Sequence, residues 1–376
     1  MRPLKILLPL IVINLSVSAQ TAESLYNEGV KLKDEKKSGQ ALLKFKQATE
    51  LKPNYTDALY ELGWCSNDTK DYYGAIKALR QVMPAMSDVY KANFELGYAF
   101  EKTESYDSAT YYYTRCLSIN SNNAGVHKQL GYIAYQKEDY ARALEYFINY
   151  EKNLKTPTTD YLYWYRKGFM QNALKDYTAS KSSLTKSLEF KTDYLNTYLE
   201  LGFACKNLKE SDNAIEWYKK AIAVDPKSHI PYNGIGEVYR DNIKDMDKAM
   251  EWYQKTLDIN PKERKGNFGM GYCLNNLQKY SEAVPYLKTA IQMENTYTAA
   301  YTELGFSYYK LGNYSDALTN LNKSLSQNPN GINPLYYATL VYLAQKNKAK
   351  AQEMVNTLKR IGSKYGDDLQ KNVDAL

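Results

Sequence analysis

Side chains that commonly perform catalysis or bind metals are few and scattered in this sequence. The only histidines are His127 and His229, which lie far apart. Asp241, Asp245 and Asp247 resemble the start of a calcium loop, but no glycine follows at its sixth position and no glutamate at its twelfth. The cysteines have neither a CxxC pair nor metal-site spacing; they are Cys65, Cys116, Cys205 and Cys273. This content predicts no metal, no cofactor and no enzymatic activity.

Motifs that bind phosphates or activate nucleophiles are absent as well. The sequence contains no G-x-x-x-x-G-K-[ST], no H-E-x-x-H and no G-x-S-x-G. The glycine-rich segment 266–271 does not have the spacing of G-x-G-x-x-G and falls in a predicted helix, which favours a packing role. A net charge of +7, from 49 basic and 42 acidic residues, is small for 376 residues and gives no reason to expect a nucleic-acid partner.

The first 19 residues have the composition of a secretory signal peptide. Arg2 and Lys5 give a positive start, and a nearly apolar stretch follows over residues 6–15. Val17, Ser18 and Ala19 then fit a small-residue cleavage site. The apolar stretch is too short to cross a hydrocarbon core of roughly 30 Å. We therefore expect cleavage after Ala19 and a periplasmic or secreted protein, with an N-terminal anchor facing the periplasm as the alternative.

Glycine recurs at nearly constant spacing along the rest of the chain. Successive intervals are 34, 34, 34, 37, 34, 34, 35 and 34 residues, and the glycines are Gly29, Gly63, Gly97, Gly131, Gly168, Gly202, Gly236, Gly271 and Gly305. If each glycine is numbered position 8 of a unit, most units carry a small residue at position 20, such as Ala41 and Ala317. The 35-residue step predicts one extra residue in unit seven, in the loop 242–247.

This pattern resembles the tetratricopeptide repeat, W-x2-L-G-x2-Y followed by A-x3-F and P. Unit nine carries it as Tyr301, Leu304, Gly305, Tyr308, Ala317, Leu321 and Pro329. Unit six carries it as Tyr198, Leu201, Gly202, Cys205, Ala214, Tyr218 and Pro226. The resemblance covers about nine-tenths of the chain, from Ala22 to Ile361. It implies an all-α fold, a right-handed superhelical α-solenoid of about ten helix-turn-helix units.

The helix pairs of such a fold must approach closely at the repeated glycine. We expect the glycine at position 8 to face the small residue at position 20 of the second helix, because both lack bulk.

Cysteines in units that are not neighbours stand too far apart for a disulfide, so the sequence predicts buried free thiols.

The interval of 37 residues marks an irregular junction. It inserts residues near 155–159, and unit five has Ser180 in place of the usual alanine. We read this junction as a hinge. The predicted organisation is a signal peptide at 1–19, units one to four at 20–155, units five to ten at 156–363, and a tail or capping helix at 364–376. These segments leave no room for a catalytic domain.

Positions 5 and 9 of the first helices are unusually aromatic. They hold aromatic residues in 13 of 20 places, where a content of 14% would give about three. In the family that this chain resembles, these positions line a concave groove that binds ligands, although packing between helices is the competing interpretation. Candidate groove residues are Tyr60, Trp64, Phe94, Tyr98, Tyr132, Tyr165, Phe169, Phe203, Phe268, Tyr272 and Phe306, together with Glu237 and Arg240 of a polar patch in unit seven.

Aromatic rings with polar edges suit contact with extended peptides, since they offer a large contact area at low entropic cost. They also suit stacking on sugar rings. The sequence therefore favours a non-enzymatic protein–protein interaction scaffold in a bacterial cell envelope, which binds a protein or an extended peptide segment in the groove. Binding of a cell-wall glycan by the same groove is the alternative. We expect no nucleic-acid partner and no membrane-spanning segment after signal cleavage.

Overall fold

The computed structural model describes residues 20–376, so the expected signal peptide lies outside the described residues. Within this range the chain forms 21 α-helices, one π-helical turn and no β-strand. Two compact units divide between Thr158 and Thr159. The all-α fold of repeating helix pairs that the sequence predicts is confirmed.

The first unit, which ends at Thr158, contains four helix pairs. Each second helix packs against the first helix of its own pair, and it also contacts the first helix of the next pair within the unit. The helices are α1 (Ala22–Asp34), α2 (Ser38–Leu51), α3 (Thr56–Asp68), α4 (Tyr72–Met86), α5 (Tyr90–Lys102), α6 (Tyr106–Ile119), α7 (Ala124–Gln136) and α8 (Tyr140–Lys152).

The second unit, Thr159–Leu376, contains six helix pairs and a final helix. Its pairs follow the same packing scheme. The helices are α9 (Tyr161–Ala173), α10 (Tyr177–Phe190), α11 (Leu195–Asn207), α12 (Ser211–Val224), α13 (Ile230–Val238), α14 (Met246–Ile259), α15 (Arg264–Asn276), α16 (Tyr280–Met293), α17 (Thr298–Lys310), α18 (Tyr314–Gln327), α19 (Ile332–Ala344), α20 (Lys348–Arg360) and α21 (Tyr365–Asp374).

The turn inside each pair uses one residue in the left-handed conformation. Glu138 has φ 59° and Gly312 has φ 77° at equivalent places. The residue after this turn often caps the second helix: the Asp139 carboxylate accepts a hydrogen bond from the main-chain N–H of Arg142 at 3.2 Å. An aspartate or asparagine before the second helix therefore satisfies a main-chain donor that the helix itself leaves unpaired.

Each repeated glycine lies against a bulky side chain at position 24, sixteen residues later, or seventeen in unit seven because of its inserted residue. A Cβ atom added to Gly97 would lie 2.8 Å from the Tyr113 ring, and one added to Gly271 would lie 2.6 Å from Leu287. Position 20 faces the glycine as expected, but through its main chain. The small residue at position 20 only brings its carbonyl oxygen near, as Ala283 does at 3.4 Å from the same added atom. The longer side chain at position 24 reaches back to cover the glycine.

The extra residue of unit seven lies in the first helix and not in the loop 242–247, so that expectation is wrong. Helix α13 continues directly into a π-helical turn, Tyr239–Ile243, before the chain reaches α14. The main-chain N–H of Asp245 donates to the carbonyl of Tyr239 at 3.0 Å. A widened turn absorbs the insertion while keeping main-chain groups hydrogen-bonded, which an added loop residue would not ensure.

The glycine-rich segment 266–271 has the packing role that the sequence predicts. A Cβ on Gly266 would meet Thr256 at 2.9 Å, and a Cβ on Gly269 would overlap the Tyr253 ring.

The four cysteines are free and buried, as predicted. Burial raises the pKa of the Cys65 and Cys273 thiols to about 12, so neither is a reactive thiolate at neutral pH.

The last helix covers the end of the final helix pair. Leu369 and Val373 of α21 are buried and join Val355 and Leu358 of α20 in one apolar cluster. An amphipathic terminal helix of this kind shields apolar surface that would otherwise meet solvent.

The contact at position 8 predicts the effect of a single methyl group. Gly97→Ala should lower the free energy of unfolding by about 1–3 kcal/mol, because overpacking forces neighbouring atoms apart. The Tyr113 ring cannot easily move, since its hydroxyl donates to Glu101 at 2.9 Å. The measurement is a urea titration followed by circular dichroism.

The matched control for this change is Gly39→Ala in α2, where an added Cβ has no neighbour within 4 Å. Alanine at this exposed helical site should be neutral or stabilising by up to about 1 kcal/mol. Equal urea midpoints for the Gly97→Ala variant and the unmodified chain would contradict the packing account.

Candidate functional site

The predicted site residues lie mainly on one face, which we call the first-helix face. It consists of positions 5, 9 and 12 of the first helices, which share one side of an α-helix because they are separated by four and three residues. Neighbouring first helices contact each other at α3 with α5 in the first unit, and from α9 through α19 in the second. The first-helix face is therefore a continuous surface over several repeats within a unit.

Three of the predicted residues in the first unit line a common cleft between α3 and α5. Trp64, Phe94 and Tyr98 form part of its wall, and the cleft has a volume of about 260 Å³. The remaining lining residues are Asn67, Asp68, Lys70, Tyr72 and Glu95. The Tyr72 ring meets the Tyr98 ring edge-on at 6.1 Å between centroids. The structure thus brings four aromatic rings and three charged side chains together.

The other two predicted residues of the first unit lie elsewhere. Tyr60 is only 7% exposed, and the Lys91 ammonium lies 4.3 Å from its ring centroid. Tyr132 is half-buried and meets Phe147 edge-on at 5.4 Å. Packing therefore accounts for Tyr60, whose ring offers little surface to a ligand.

The predicted aromatic residues of the second unit form separate groups. Tyr165 and Phe169 are 6.4 Å apart between centroids, and Phe306 stacks on Tyr337 at 4.6 Å. Phe203 is the most open of the predicted rings at 37% exposure, and it meets Tyr177 edge-on at 6.1 Å. Phe268 and Tyr272 are 6.1 Å apart and lie beneath Arg240.

The polar patch of unit seven is a set of internal ion pairs at the π-helical turn. Arg240 donates through Nε and Nη2 to Asp241 at 2.7 and 2.8 Å. Its guanidinium carbon lies 5.8 Å from the Phe268 centroid and 5.4 Å from that of Tyr272. Burial acts to lower the Arg240 pKa, but the hydrogen bonds to Asp241 and nearby acidic groups outweigh it and raise the pKa. Arg240 therefore stays charged.

Glu237 extends the same patch toward the preceding repeat. Its carboxylate forms an ion pair with the Lys206 ammonium and accepts a hydrogen bond from Asn233 Nδ2 at 3.1 Å. The cations and carboxylates of this patch are thus largely paired with one another. This arrangement fixes the side chains but leaves little unbalanced charge for a ligand.

Three asparagine–glutamate pairs join consecutive first helices, and sequence reasoning missed them. In each, the asparagine at position 12 donates through Nδ2 to the main-chain oxygen and to the carboxylate of the glutamate 28 residues later. The carboxylate distances are 2.7, 2.8 and 2.9 Å, for Asn67–Glu95, Asn172–Glu200 and Asn275–Glu303 respectively. Aligning position 12 of one unit with position 6 of the next would have revealed this recurrence.

The third pair is completed by a serine that the other two lack. Ser307 Oγ donates to Asn275 Oδ1 at 2.7 Å. Ala99 and Ala204 occupy the corresponding positions in the other two pairs. Asn67 Oδ1 and Asn172 Oδ1 are consequently buried without a hydrogen-bond partner. An unsatisfied buried acceptor costs free energy, so these two pairs are weaker links than the third.

Residues 20–376 contain neither a membrane-spanning helix nor a metal-binding cluster. No helix there has the length and apolar character needed to cross a bilayer. No group of three or more His, Cys, Asp and Glu side chains in the same range is placed to hold a metal ion.

Sequence models of the tetratricopeptide repeat match this chain at residues 57–83, 90–123, 195–228, 231–263 and 274–341. One curated relative is the TPR repeat-containing protein MJ1428 of Methanocaldococcus jannaschii. It is 26% identical over 221 residues, which are 56% of this chain and 38% of that protein. The chain therefore spans well under half the length of this relative.

Solved structures of low sequence identity share the fold. A tetratricopeptide repeat protein from Parabacteroides merdae has a TM-score of 0.52 and 17% identity, over 66% of this chain and 98% of that one. The APC/C hetero-tetramer Cut9–Hcn1 has a TM-score of 0.54 and 16% identity, over 94% of this chain and 76% of that one.

The serine that completes the third pair predicts opposite effects of two reciprocal changes. Ser307→Ala should destabilise the chain by about 1–3 kcal/mol, because it leaves Asn275 Oδ1 buried and unsatisfied. Ala99→Ser should raise stability, since its hydroxyl can donate to Asn67 Oδ1. Both changes are measured by urea titration. An unchanged midpoint for Ser307→Ala would show that the hydroxyl is not part of the pair.

The buried carboxylate of the third pair predicts a pH dependence. Burial raises the pKa of Glu303 above its ordinary value of 4.5. A raised folded-state pKa means that stability is full below the unfolded-state pKa and is lost as pH rises through the folded-state pKa. Glu303→Gln keeps an acceptor for Asn275 and removes the charge. The variant should melt at a higher temperature than the unmodified chain at pH 8, and the difference should shrink toward pH 4.5. A lower melting temperature at pH 8 would contradict this sign.

Proposed function

Tetratricopeptide repeats form the paired helices of this chain, and from this premise we propose that it is a non-enzymatic scaffold for protein–protein interaction. It binds a protein partner, or an extended segment of one, on the first-helix face. Its second helices hold neighbouring first helices together. Catalysis is not part of this proposal.

The observation that carries the proposal is the cleft between α3 and α5. Trp64, Phe94 and Tyr98 are neither fully buried nor fully exposed, so each ring is held by packing on one side and open on the other. Rings fixed in this way lose little side-chain entropy when a partner covers them. Tryptophan and tyrosine also contribute disproportionately to protein interfaces.

We place this scaffold in the cell envelope, periplasmic or secreted. The support is the composition of residues 1–19, with the alternative of an uncleaved N-terminal anchor. An exported scaffold would meet its partners outside the cytoplasm, so envelope extract is the source from which a partner is captured.

The proposal predicts that removing two rings weakens partner capture without unfolding the chain. Trp64→Ala combined with Tyr98→Ala should lower the affinity at least about tenfold, because buried aromatic anchors dominate interface energies. The partner is first identified by affinity capture from envelope extract and mass spectrometry, and its dissociation constant is then measured. Helix content should remain that of the unmodified chain, while the melting temperature falls modestly because the two half-buried rings lose their packing.

The matched control removes two tyrosines from second helices. Tyr73 is 77% exposed and Tyr111 is 56% exposed, and both lie away from the first-helix face. Tyr73→Ala with Tyr111→Ala should leave the affinity unchanged. If the control pair weakens binding and the Trp64 and Tyr98 pair does not, the first-helix face is not the binding surface. Saturable binding of purified peptidoglycan and no protein capture would favour a glycan ligand.

A further inference from the structure

Glu95 carries a carboxylate that has no cationic partner within the described chain. It lies at the cleft between α3 and α5, half-buried, with Asn67 Nδ2 donating to it at 2.7 Å. Across residues 20–376, no ion pair to Glu95 is formed. Burial raises the pKa of Glu95 above its ordinary 4.5, and the Asn67 hydrogen bond and the Lys33 charge offset that rise only partly. A cation arriving from solvent would compensate this charge.

Lys70 lines the cleft but forms no ion pair with Glu95, and two lysines beside the cleft are already engaged. Lys33 Nζ binds Glu61 at 2.5 Å and lies 4.6 Å from the Trp64 ring centroid. Lys102 Nζ binds Glu101 at 3.2 Å and lies 5.0 Å from the Tyr98 centroid. Neither forms an ion pair with Glu95. Their positions also show that ammonium groups lie against the Trp64 and Tyr98 rings.

The charge and shape of the cleft fit a cationic side chain. Among its lining residues, Asp68 and Glu95 are acidic and only Lys70 is basic, which leaves one net negative charge. The aromatic wall consists of Trp64, Tyr72, Phe94 and Tyr98. Aromatic faces attract cations through their negative quadrupole, and the attraction grows where water is excluded. Rings around a half-buried carboxylate therefore select a long side chain that ends in a positive charge.

We propose that the cleft between α3 and α5 binds the side chain of a lysine or arginine in an extended peptide segment of the partner. This inference rests on the proposed function and adds the chemistry of one contact. The alkyl part of the bound side chain packs against the rings, and its charged end pairs with Glu95. The peptide main chain continues over the first-helix face.

The related pairs of the second unit show which features make the cleft. Glu303 is only 8% exposed, and Thr302 stands where the first cleft has Phe94. This third pair is closed and has no cation site. At the second pair, Tyr177 and Phe203 repeat the edge-on contact of Tyr72 and Tyr98 at the same 6.1 Å. Leu199 replaces Phe94 there, so the second pair has one ring fewer.

The test uses peptides of the form acetyl-Gly-Gly-X-Gly-Gly-amide, where X is lysine, arginine, norleucine or glutamate. They are titrated into the full chain labelled with 5-fluorotryptophan, and binding is followed by fluorine NMR. The chain has four tryptophans, so it gives four resonances, and the one missing from Trp64→Phe identifies Trp64. The other three resonances report any binding elsewhere.

The lysine and arginine peptides should shift the Trp64 resonance with dissociation constants at least about tenfold lower than that of the norleucine peptide. The glutamate peptide should bind most weakly. Glu95→Gln keeps an acceptor for Asn67 and removes the charge, so the preference for lysine over norleucine should fall to within about threefold. Glu303→Gln makes the same change in the closed pair and should leave the preference intact.

Three results would overturn the inference. These are equal binding of the lysine and norleucine peptides, a preference that survives Glu95→Gln, and the absence of a saturable Trp64 shift. A melting scan of Glu95→Gln confirms that the variant is folded. If the lysine preference is missing but the Trp64 and Tyr98 double variant still loses the partner, the cation site is wrong and binding on the first-helix face stands. If that double variant keeps the partner, the proposed function itself fails.

Discussion

Each repeat that has a glycine at position 8 depends on one contact. In this contact the glycine lies under the side chain at position 24. The space is too small for a Cβ atom, as the 2.8 Å approach at Gly97 and the 2.6 Å approach at Gly271 show. The two helices of a pair can therefore lie close enough to bury the large residue completely, and Tyr113, Phe147 and Leu321 have no exposed surface. Close packing of this kind leaves little freedom in the angle between the paired helices.

The side chain at position 24 also influences the contact between repeats. The Tyr218 ring covers Gly202 of its own repeat and Gly234 of the next, at 2.6 Å from each added Cβ. Tyr253 likewise contacts Gly236 and Gly269. Gly234 and Gly269 occupy position 6, where three other repeats have the glutamate that pairs with asparagine. In these five repeats position 6 has two solutions: a glycine that admits a tyrosine ring, or a glutamate held by the preceding repeat.

These two solutions have different consequences for the first-helix face. A glycine at position 6 adds no side chain to it, and the charge around Arg240 is balanced by Asp241 and Glu237. A glutamate at position 6 brings a carboxylate to the edge of the face. Whether that carboxylate is open, as at Glu95, or closed, as at Glu303, depends on the residues that surround it. Under the proposed function, a structural link between repeats is also part of the binding surface.

The sequence predicts well what depends on local spacing. The 34-residue period predicts the helix pairs, the packing role of Gly271 and the burial of Cys65. Each of these follows from which residues share a helix face. The period did not predict that the side chain at position 24 covers the glycine at position 8. How far a side chain reaches depends on its length and not on its size alone. The period misplaced the inserted residue of unit seven, because a π-helical turn has no strong sequence signal. The asparagine–glutamate pairs were missed because they join different repeats. Tyr60 has the spacing of a groove residue and is nevertheless buried, so spacing alone does not decide burial.

We propose that the first-helix face, which the packed second helices leave open, is the surface for a partner. The most direct measurement places photoreactive p-benzoylphenylalanine at Tyr98, on that face, or at Tyr73, which lies on a second helix and is 77% exposed. Each labelled chain is irradiated with the captured partner, and the cross-linked yield is compared. We expect cross-links from position 98 and almost none from position 73. An equal or higher yield from position 73 would contradict the proposal.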